Sequence, residues 1–308
     1  MVSAQCRSLG DGRLHFQHGP MDIVIGAEGE PRAVQAAHAR AWARFQGLLQ
    51  ELVAELPQLR AAVDGVCRLR GPVARRMWAA AAAHRPAYVT PMVAVAGAVA
   101  QELVQAYTAA GVSRAWVNNG GDIALHLTPG TSWRIGLCAD PESLRWLGAR
   151  DGLQVDGQFD VAHASGVRGV ATSGWKGRSF SLGIADSVTV LAATAAEADA
   201  AASLIANAVN VQAPGIVRAP ANTLKDDSDL GTIPVTVSVP TLAPSRVQQA
   251  LQAGLDHALA LQRAGRITAC VLTCQGQAVS TPASPAPKPA TPSVRAHPQV
   301  CALETLDD

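Results

Sequence analysis

The chain has 308 residues, enough for one large domain or two small ones, and its 48% hydrophobic and 16% charged residues suit a compact fold. A formal net charge of +1 and 4% aromatic residues leave no basic stripe interleaved with aromatics, which argues against a nucleic-acid partner. No uninterrupted apolar run reaches the roughly 18 residues a membrane span needs, and the opening "MVSAQCRSLGDGRLHFQHGP" holds no apolar stretch of signal-peptide length, so no membrane association and a cytoplasmic location are expected.

Residues 1–18 read as a lead-in. "MDIVIGAEG" follows as a first strand ending in a turn, and Pro31 opens a long helix, "PRAVQAAHARAWARFQGLLQELVAELPQL", whose apolar positions recur at three and four. "GPVARRMWAAAAAH" predicts a second helix. A third is expected after "YVTPM", capped by Thr90 with Pro91 just inside, running through "VAVAGAVAQELVQAYTAAG" to Gly111 as the residue after its end. Strands follow at "RAWVN", "IALHL" and "WRIGLC", with two weaker ones between Gly152 and His163. "GVATSGW" leads into the β-rich "SVTVLAAT", then the helix "AAEADAAASLIANAVN", a loop with "KDDSDLG", the strand "PVTVSV", a helix from about Ser245 to Ala264 and a last strand "RITACVLTC". Past Gln275 the Pro/Ala/Ser-rich composition cannot bury enough apolar surface to offset its ordering entropy, so residues 276–308 are expected to be a disordered tail behind a single domain over 19–275. Helices and antiparallel-looking strands without βαβ alternation make the expected fold class α+β, with antiparallel sheets packed against long helices; no GxGxxG follows the first strand.

The six cysteines lack zinc-ligand spacing. Cys270 and Cys274 would share one strand face as buried thiols, too far apart along a strand for a direct disulfide. His15 and His18, three apart, are a weak metal signal, and His126 lies in an alternating strand as a packed or surface residue. Neither a nucleophile elbow nor a P-loop occurs.

Three short segments could carry chemistry. In "VNNGGDIALHL", Gly120 and Gly121 allow positive φ and expose backbone N–H groups, while Asn118, Asn119 and Asp122 offer side-chain hydrogen bonds; this is either a plain hairpin turn or a cradle for a phosphate-bearing ligand. In "GVATSGW", Thr172, Ser173 and Gly174 offer two hydroxyls and an open backbone after a strand, and Lys176 and Arg178 would suit an anionic group; the alternative is a strand-to-loop turn. In "ADAAAS", Asp199 and Ser203 lie four apart on one helix face, hard oxygen donors suited to Mg²⁺ with carbonyls, water and phosphates; the alternative is an ordinary helix acid beside a packed serine.

The order "NNGGDI", "ATSG", "SVTV", "ADAAAS" resembles the ApbE family of flavin transferases, over roughly Gly19 to Gln275. The resemblance implies an ApbE-like α+β fold, FAD or a related flavin nucleotide and Mg²⁺ as cofactors, and transfer of FMN from FAD to a flavoprotein target. It implies that Asn118 to Asp122 and Thr172 to Gly174 meet the flavin nucleotide, that Asp199 and Ser203 hold the metal, and that a third metal ligand is the Val95 carbonyl of "VAG", where the family has A-K-G. Ala96 replaces that lysine, and "SLGIAD" stands where the transferases carry H-I-x-D-P-x-T-G, so the chain resembles a prokaryotic branch of ApbE-like proteins that keeps the ligand shelf and lacks the histidine segment. Asp186 is then the remaining polar candidate at the reacting centre, with Lys176 and Arg178 as charge stabilisers. Two readings follow: a Mg²⁺-dependent FMN transferase or FAD pyrophosphatase acting in flavoprotein maturation, or a non-catalytic flavin-binding accessory protein of an oxidoreductase system.

Overall fold

The structure is a computed structural model that describes residues 3–137, 145–146, 153–154, 157–282 and 299–301. It is a mixed α+β fold dividing into two compact units: Met1–Thr131 with Gly166–Ala171 and Ala192–Ala200, and Ser132–Ser165 with Thr172–Leu191 and Ala201–Asp308.

In the first unit the strands β1 (Gln5–Ser8), β2 (Leu14–His18), β3 (Met21–Gly29), β4 (Val112–Asn119) and β5 (Asp122–Leu127) lie in sequence order, each antiparallel to the next. The start of β10 (Gly169–Ser173) pairs with β5 through Gly169↔Ala124 and Val170↔Ile123. The expected lead-in 1–18 thus carries two strands, because Leu14 and Phe16 bury against the same face that Ile23 and Ile25 present.

Helix α1 (Pro31–Ala54) buries Ala37, Ala41, Phe45, Leu48 and Leu52, a four-four-three-four spacing that makes one apolar stripe. Phe16 meets Trp42 edge-on and Phe45 tilted, both at 5.2 Å, so the few aromatics concentrate where β2 meets α1. Burying each such side chain contributes about 1.5–3 kcal/mol. The long helix expected to reach Leu59 ends early: Glu55 leaves the helical region at φ −112°, and Pro57 sits at the start of a separate turn, α2 (Leu56–Leu59). Glu55 then accepts the N–H groups of Arg70 and Gly71 ahead of α3 (Pro72–Ala82).

The third expected helix is also interrupted. Pro91–Ala94 form a 3₁₀ turn, Ala94 breaks the helical path at φ −122° and ψ 19°, and α4 (Val95–Val104) begins anew before a second 3₁₀ turn at Gln105–Tyr107. Thr90 is extended and makes no side-chain cap. The Val95 N–H still donates to the Met92 carbonyl, and the break leaves the next N–H groups of α4 to find acceptors elsewhere.

In the second unit β11 (Ser187–Ala192), β14 (Ala269–Cys274) and β15 (Gln277–Ser280) form an antiparallel run. β6 (Ser132–Leu137) pairs with β9 (Gly157–Ala162), and β16 (Gln299–Cys301) adds in parallel to β6. Short pairs join β7 (Arg145–Trp146) to β8 (Leu153–Gln154), and β12 (Val217–Pro220) to β13 (Pro234–Ser238). α5 (Ala195–Ala208) runs from the first unit's residues into the second's; the second also holds α6 (Ala221–Leu224) and α7 (Pro244–Arg263), which buries Val247, Ala250, Leu251, Gly254 and Ala258. Within the tail expected over residues 276–308, Gln277 to Ser280 instead pair with β14, Thr281 Oγ1 accepts the Cys270 N–H and Gln299–Cys301 pair with β6; residues 283–298 and 302–308 of that expectation lie outside the described residues. Among the described residues no helix is long and apolar enough to cross a membrane.

Candidate functional site

The segment "NNGGD" is a two-residue hairpin turn. Asn119 pairs with Asp122 as the last register position of β4 and β5, leaving Gly120 and Gly121 as the loop, with φ of 66° and 108°. A β-carbon resists both angles, which is why two glycines stand here. The cradle is narrower than the two glycines promise, for the Gly121 N–H donates to Asn118 Oδ1 at 2.9 Å. Strand alternation also divides the polar set: Asn118 pairs opposite Ile123 on one face, whereas Asn119 and Asp122 share the other. All three are buried.

Asn119 points at the start of α4. Its Nδ2 donates to the Ala96 carbonyl at 3.2 Å, and the next residue's N–H, that of Gly97, donates to Asp199 Oδ2 at 2.8 Å. The Ala96 N–H bonds the same carboxylate, so Asp199 on α5 fills the role of a cap for a helix 102 positions away in sequence. The approach demands glycine: a β-carbon on Gly97 would lie 2.3 Å from the Ala195 carbonyl oxygen and 2.8 Å from Asp199 Cβ. Burial pushes the Asp199 carboxyl from 3.8 up to about 7, against the two amide hydrogen bonds that pull it down. The groups acting on it are thus desolvation and amides, and a buried carboxylate in such a place gains from a cation. Val95, which the resemblance put at the metal, is the first residue of this α4 turn.

The second candidate region lies in the second unit and is built otherwise. Thr172 Oγ1 and Thr189 Oγ1 bond each other at 2.9 Å, and Ser173 Oγ meets Ser203 Oγ at 3.5 Å. Gly174 is buried at a close approach of two backbone segments: its β-carbon would lie 2.1 Å from the Asp186 carbonyl oxygen. Asp186 accepts the backbone N–H of Gln275, the positive-φ residue (45°) of the β14–β15 turn, so its carboxylate holds a hairpin together. Lys176 and Arg178 are exposed on the loop beyond, with Lys176 Nζ 5.6 Å from the Trp175 ring centre.

His15 and His18 fall on opposite faces of β2, which defeats a shared metal; His15 Nε2 instead meets Asp22 Oδ1 at 2.6 Å. His126 lies 3.4 Å from the Val112 carbonyl. Cys270 and Cys274 are buried free thiols, as expected of alternate positions on β14; burial raises both, Cys274 to about 12, which keeps them unreactive. No group of three His, Cys, Asp or Glu side chains suited to a metal occurs among the described residues. Sequence reasoning missed the Ala96–Gly97 amides as partners of Asp199. The one local signal was a glycine inside a helix, which costs about 1 kcal/mol there and so calls for a packing reason.

A family model described as AbpE bacteria matches residues 5–280. The chain is 35% identical over 182 residues to a UPF0280 protein of Methanothermobacter thermautotrophicus, covering 59% of this chain and 65% of that protein. A UPF0280 protein of Methanothrix thermoacetophila is 35% identical over 143 residues, 46% of this chain and 54% of its own length. The chain therefore spans less than two thirds of these two relatives. It covers more of the UPF0280 protein of Methanosphaerula palustris, 79% of it and 66% of this chain at 34% identity. The crystal structure of Pseudomonas stutzeri flavinyl transferase ApbE in its apo form aligns at a TM-score of 0.43 and 14% identity over 91% of this chain and 96% of that one. Matched from residue 5 to residue 280, with its ordered NNGGD, TSG, SVTV and ADAAAS segments inside that range, the chain belongs to the AbpE bacteria family, an ApbE-like branch.

Proposed function

We propose that this chain binds a flavin nucleotide, FAD or a close relative, together with Mg²⁺, and serves flavoprotein maturation. One observation carries the reading: a buried carboxylate, Asp199, is raised to about 7 and held by amides at the start of α4, beside Asn119 of the NNGGD turn. The motif order that defines the resemblance runs through these same residues.

The donor set fits a hard divalent cation. A carboxylate has about four lone-pair sites, and the Ala96 and Gly97 amides leave room on Asp199. The resemblance adds the Ser203 hydroxyl and the Val95 carbonyl. A Mg²⁺ shared with phosphates keeps several waters and needs only one or two protein carboxylates. When bound, the cation would neutralise charge on the pyrophosphate. The chain's own part is to position: Asn119 fixes the turn against α4, and the Ala96 and Gly97 amides orient the carboxylate. Asn118, Gly120, Gly121, Asp122, Thr172, Ser173 and Gly174 are proposed flavin contacts on the resemblance alone.

A specific observation favours binding over group transfer. Asp186, the candidate acid or base, is engaged by the Gln275 N–H, and Lys176 and Arg178 stand on an exposed loop. The accessory reading, in which the chain hands a flavin to an oxidoreductase, is therefore preferred over the FMN transferase or FAD pyrophosphatase.

Calorimetric titration of FAD and of ADP into wild type and Asp199→Asn, with Mg²⁺ and with EDTA, tests the proposal. Wild type should bind FAD tightly only with Mg²⁺, and Asp199→Asn should bind alike in both buffers. Wild-type affinity indifferent to EDTA ends the metal reading, and no FAD binding at all ends the flavin reading. Steady release of AMP from FAD would move the assignment from accessory to enzyme.

A further inference from the structure

Residues 60–88, in the first unit, hold six arginines against one acid, Asp64; Arg76 pairs with Glu102 and Glu55 packs at Arg70 and Gly71, which leaves Arg68, Arg75 and Arg85 as exposed arginines away from those acids. Contacts tie Arg85 to Trp78 and to the loop at Gly65, and Arg75 stands one helical turn from that tryptophan. The Arg85 guanidinium sits 5.6 Å from the Trp78 ring centre. Arg85 Nη1 donates to the Gly65 carbonyl at 3.2 Å, and the Val63 N–H donates to the Val89 carbonyl at 2.9 Å, so the loops 61–66 and 84–90 are stitched together. A small core of Val63, Ala81 and Val89, with Trp78 packed on it, supports them from below. On top, Val66 is 75% exposed and Tyr88 54%, and Arg68 is exposed two residues from Val66.

We propose that this face docks an acidic segment of a partner protein that also carries an aliphatic or aromatic anchor. Large apolar side chains rimmed by positive charge on pinned loops are the arrangement of a recognition patch, with arginine and aromatic groups as its usual anchors. The excess of arginine over acid selects a partner of opposite charge and steers its approach. Val66 and its neighbours favour a protein over a nucleic acid, since an aliphatic side chain gives a phosphate nothing to bind. The proposal stands apart from the flavin reading, as no residue of the two sets is shared.

The test pans short random peptides displayed on phage against the immobilised full-length chain, then measures the enriched peptides as synthetic probes. Enriched sequences should combine Asp or Glu with Leu, Phe, Tyr or Trp, and bind more weakly as salt rises. Arg68→Glu with Arg75→Glu should weaken them about ten-fold or more, and Val66→Ser should weaken them several-fold while leaving thermal unfolding unchanged. Arg68→Gln with Arg75→Gln is the second pair, should the reversal disturb folding. Failure of enrichment, enrichment of peptides without acids, or equal binding by the variants overturns the proposal. So does a single-stranded oligonucleotide that binds more tightly than the peptides and is lost with the same arginines.

Discussion

The NNGGD hairpin and the TSG segment look alike as strings: polar side chains, a glycine, then a strand or a charge. In the folded chain they part. The first sends Asn119 to a helix start that also receives a buried carboxylate, Asp199. The second satisfies its hydroxyls among themselves, fills its glycine's space with the Asp186 backbone and leaves Lys176 and Arg178 exposed. The difference lies in what each hydrogen bond leaves behind. Neutral hydroxyls facing each other carry no charge to compensate, whereas a buried carboxyl that ionises against desolvation gains from a cation.

The two close-packed glycines separate the regions most strongly. Gly97→Ala puts a methyl 2.3 Å from the Ala195 carbonyl, and Gly174→Ala puts one 2.1 Å from that of Asp186. Each should lower stability by about 2–4 kcal/mol through overpacking. Only Gly97→Ala, which presses on Asp199, should also abolish the Mg²⁺ dependence of nucleotide binding, read by titration below the melting temperature. Equal loss of Mg²⁺ dependence in Gly174→Ala would tie the second region to the metal as well as to the flavin.

Truncation after Gln275 should cost about 1–3 kcal/mol, because it strips β15 from β14 and orphans the Cys270 N–H. It also loosens the turn that Asp186 grips. Truncation after Pro282 keeps β15 on β14 and removes only β16 from β6 among the described pairings, and should cost less than truncation after Gln275. A truncation after Gln275 that melts like the full chain would sever Asp186 from the hairpin account.

The folded Asp199 carboxyl holds its proton to about 7, against 3.8 as the ordinary value, so the native state binds more protons in between. Its contribution to stability is therefore complete below the lower value and is lost as pH rises through the higher one. In EDTA, wild type should lose on the order of 1–3 kcal/mol relative to Asp199→Asn between about pH 5 and pH 8. Parallel melting profiles for the two proteins would refute the burial argument, and Mg²⁺ should flatten the wild-type profile.

The smallest effect belongs to the exposed loop. Lys176→Ala with Arg178→Ala should change stability by less than about 0.5 kcal/mol and leave FAD affinity intact. A ten-fold loss of affinity would show that the loop reaches the ligand after all.

Much of the local architecture was legible. Apolar spacing marked α1 and α7, alternation marked β4 and β5, and the paired glycines marked a two-residue turn. Period-two alternation could also have told Asn118 from Asn119, since neighbours in a strand face opposite ways. The short β1 and β12 were missed, being exposed or half-buried strands with little apolar pattern to betray them. Helix α4 starts later than Pro91 suggests, because proline is as good a first residue for a 3₁₀ turn as for an α-helix.

By itself the sequence determined the fold class, the family and the order of its motifs, since periodicity, turn chemistry and motif spacing are properties of near neighbours. Tertiary structure alone decided which polar groups are engaged. Asp199 meets Gly97 across 102 positions, and Asp186 meets Gln275 across 89. Hydrogen bonds of that kind, and the desolvation that lifts a carboxyl to about 7, come from distant segments closing around a group and excluding water. Identical residue types can therefore be a cap, a hairpin clasp or a metal ligand, and only the packing around each one distinguishes them.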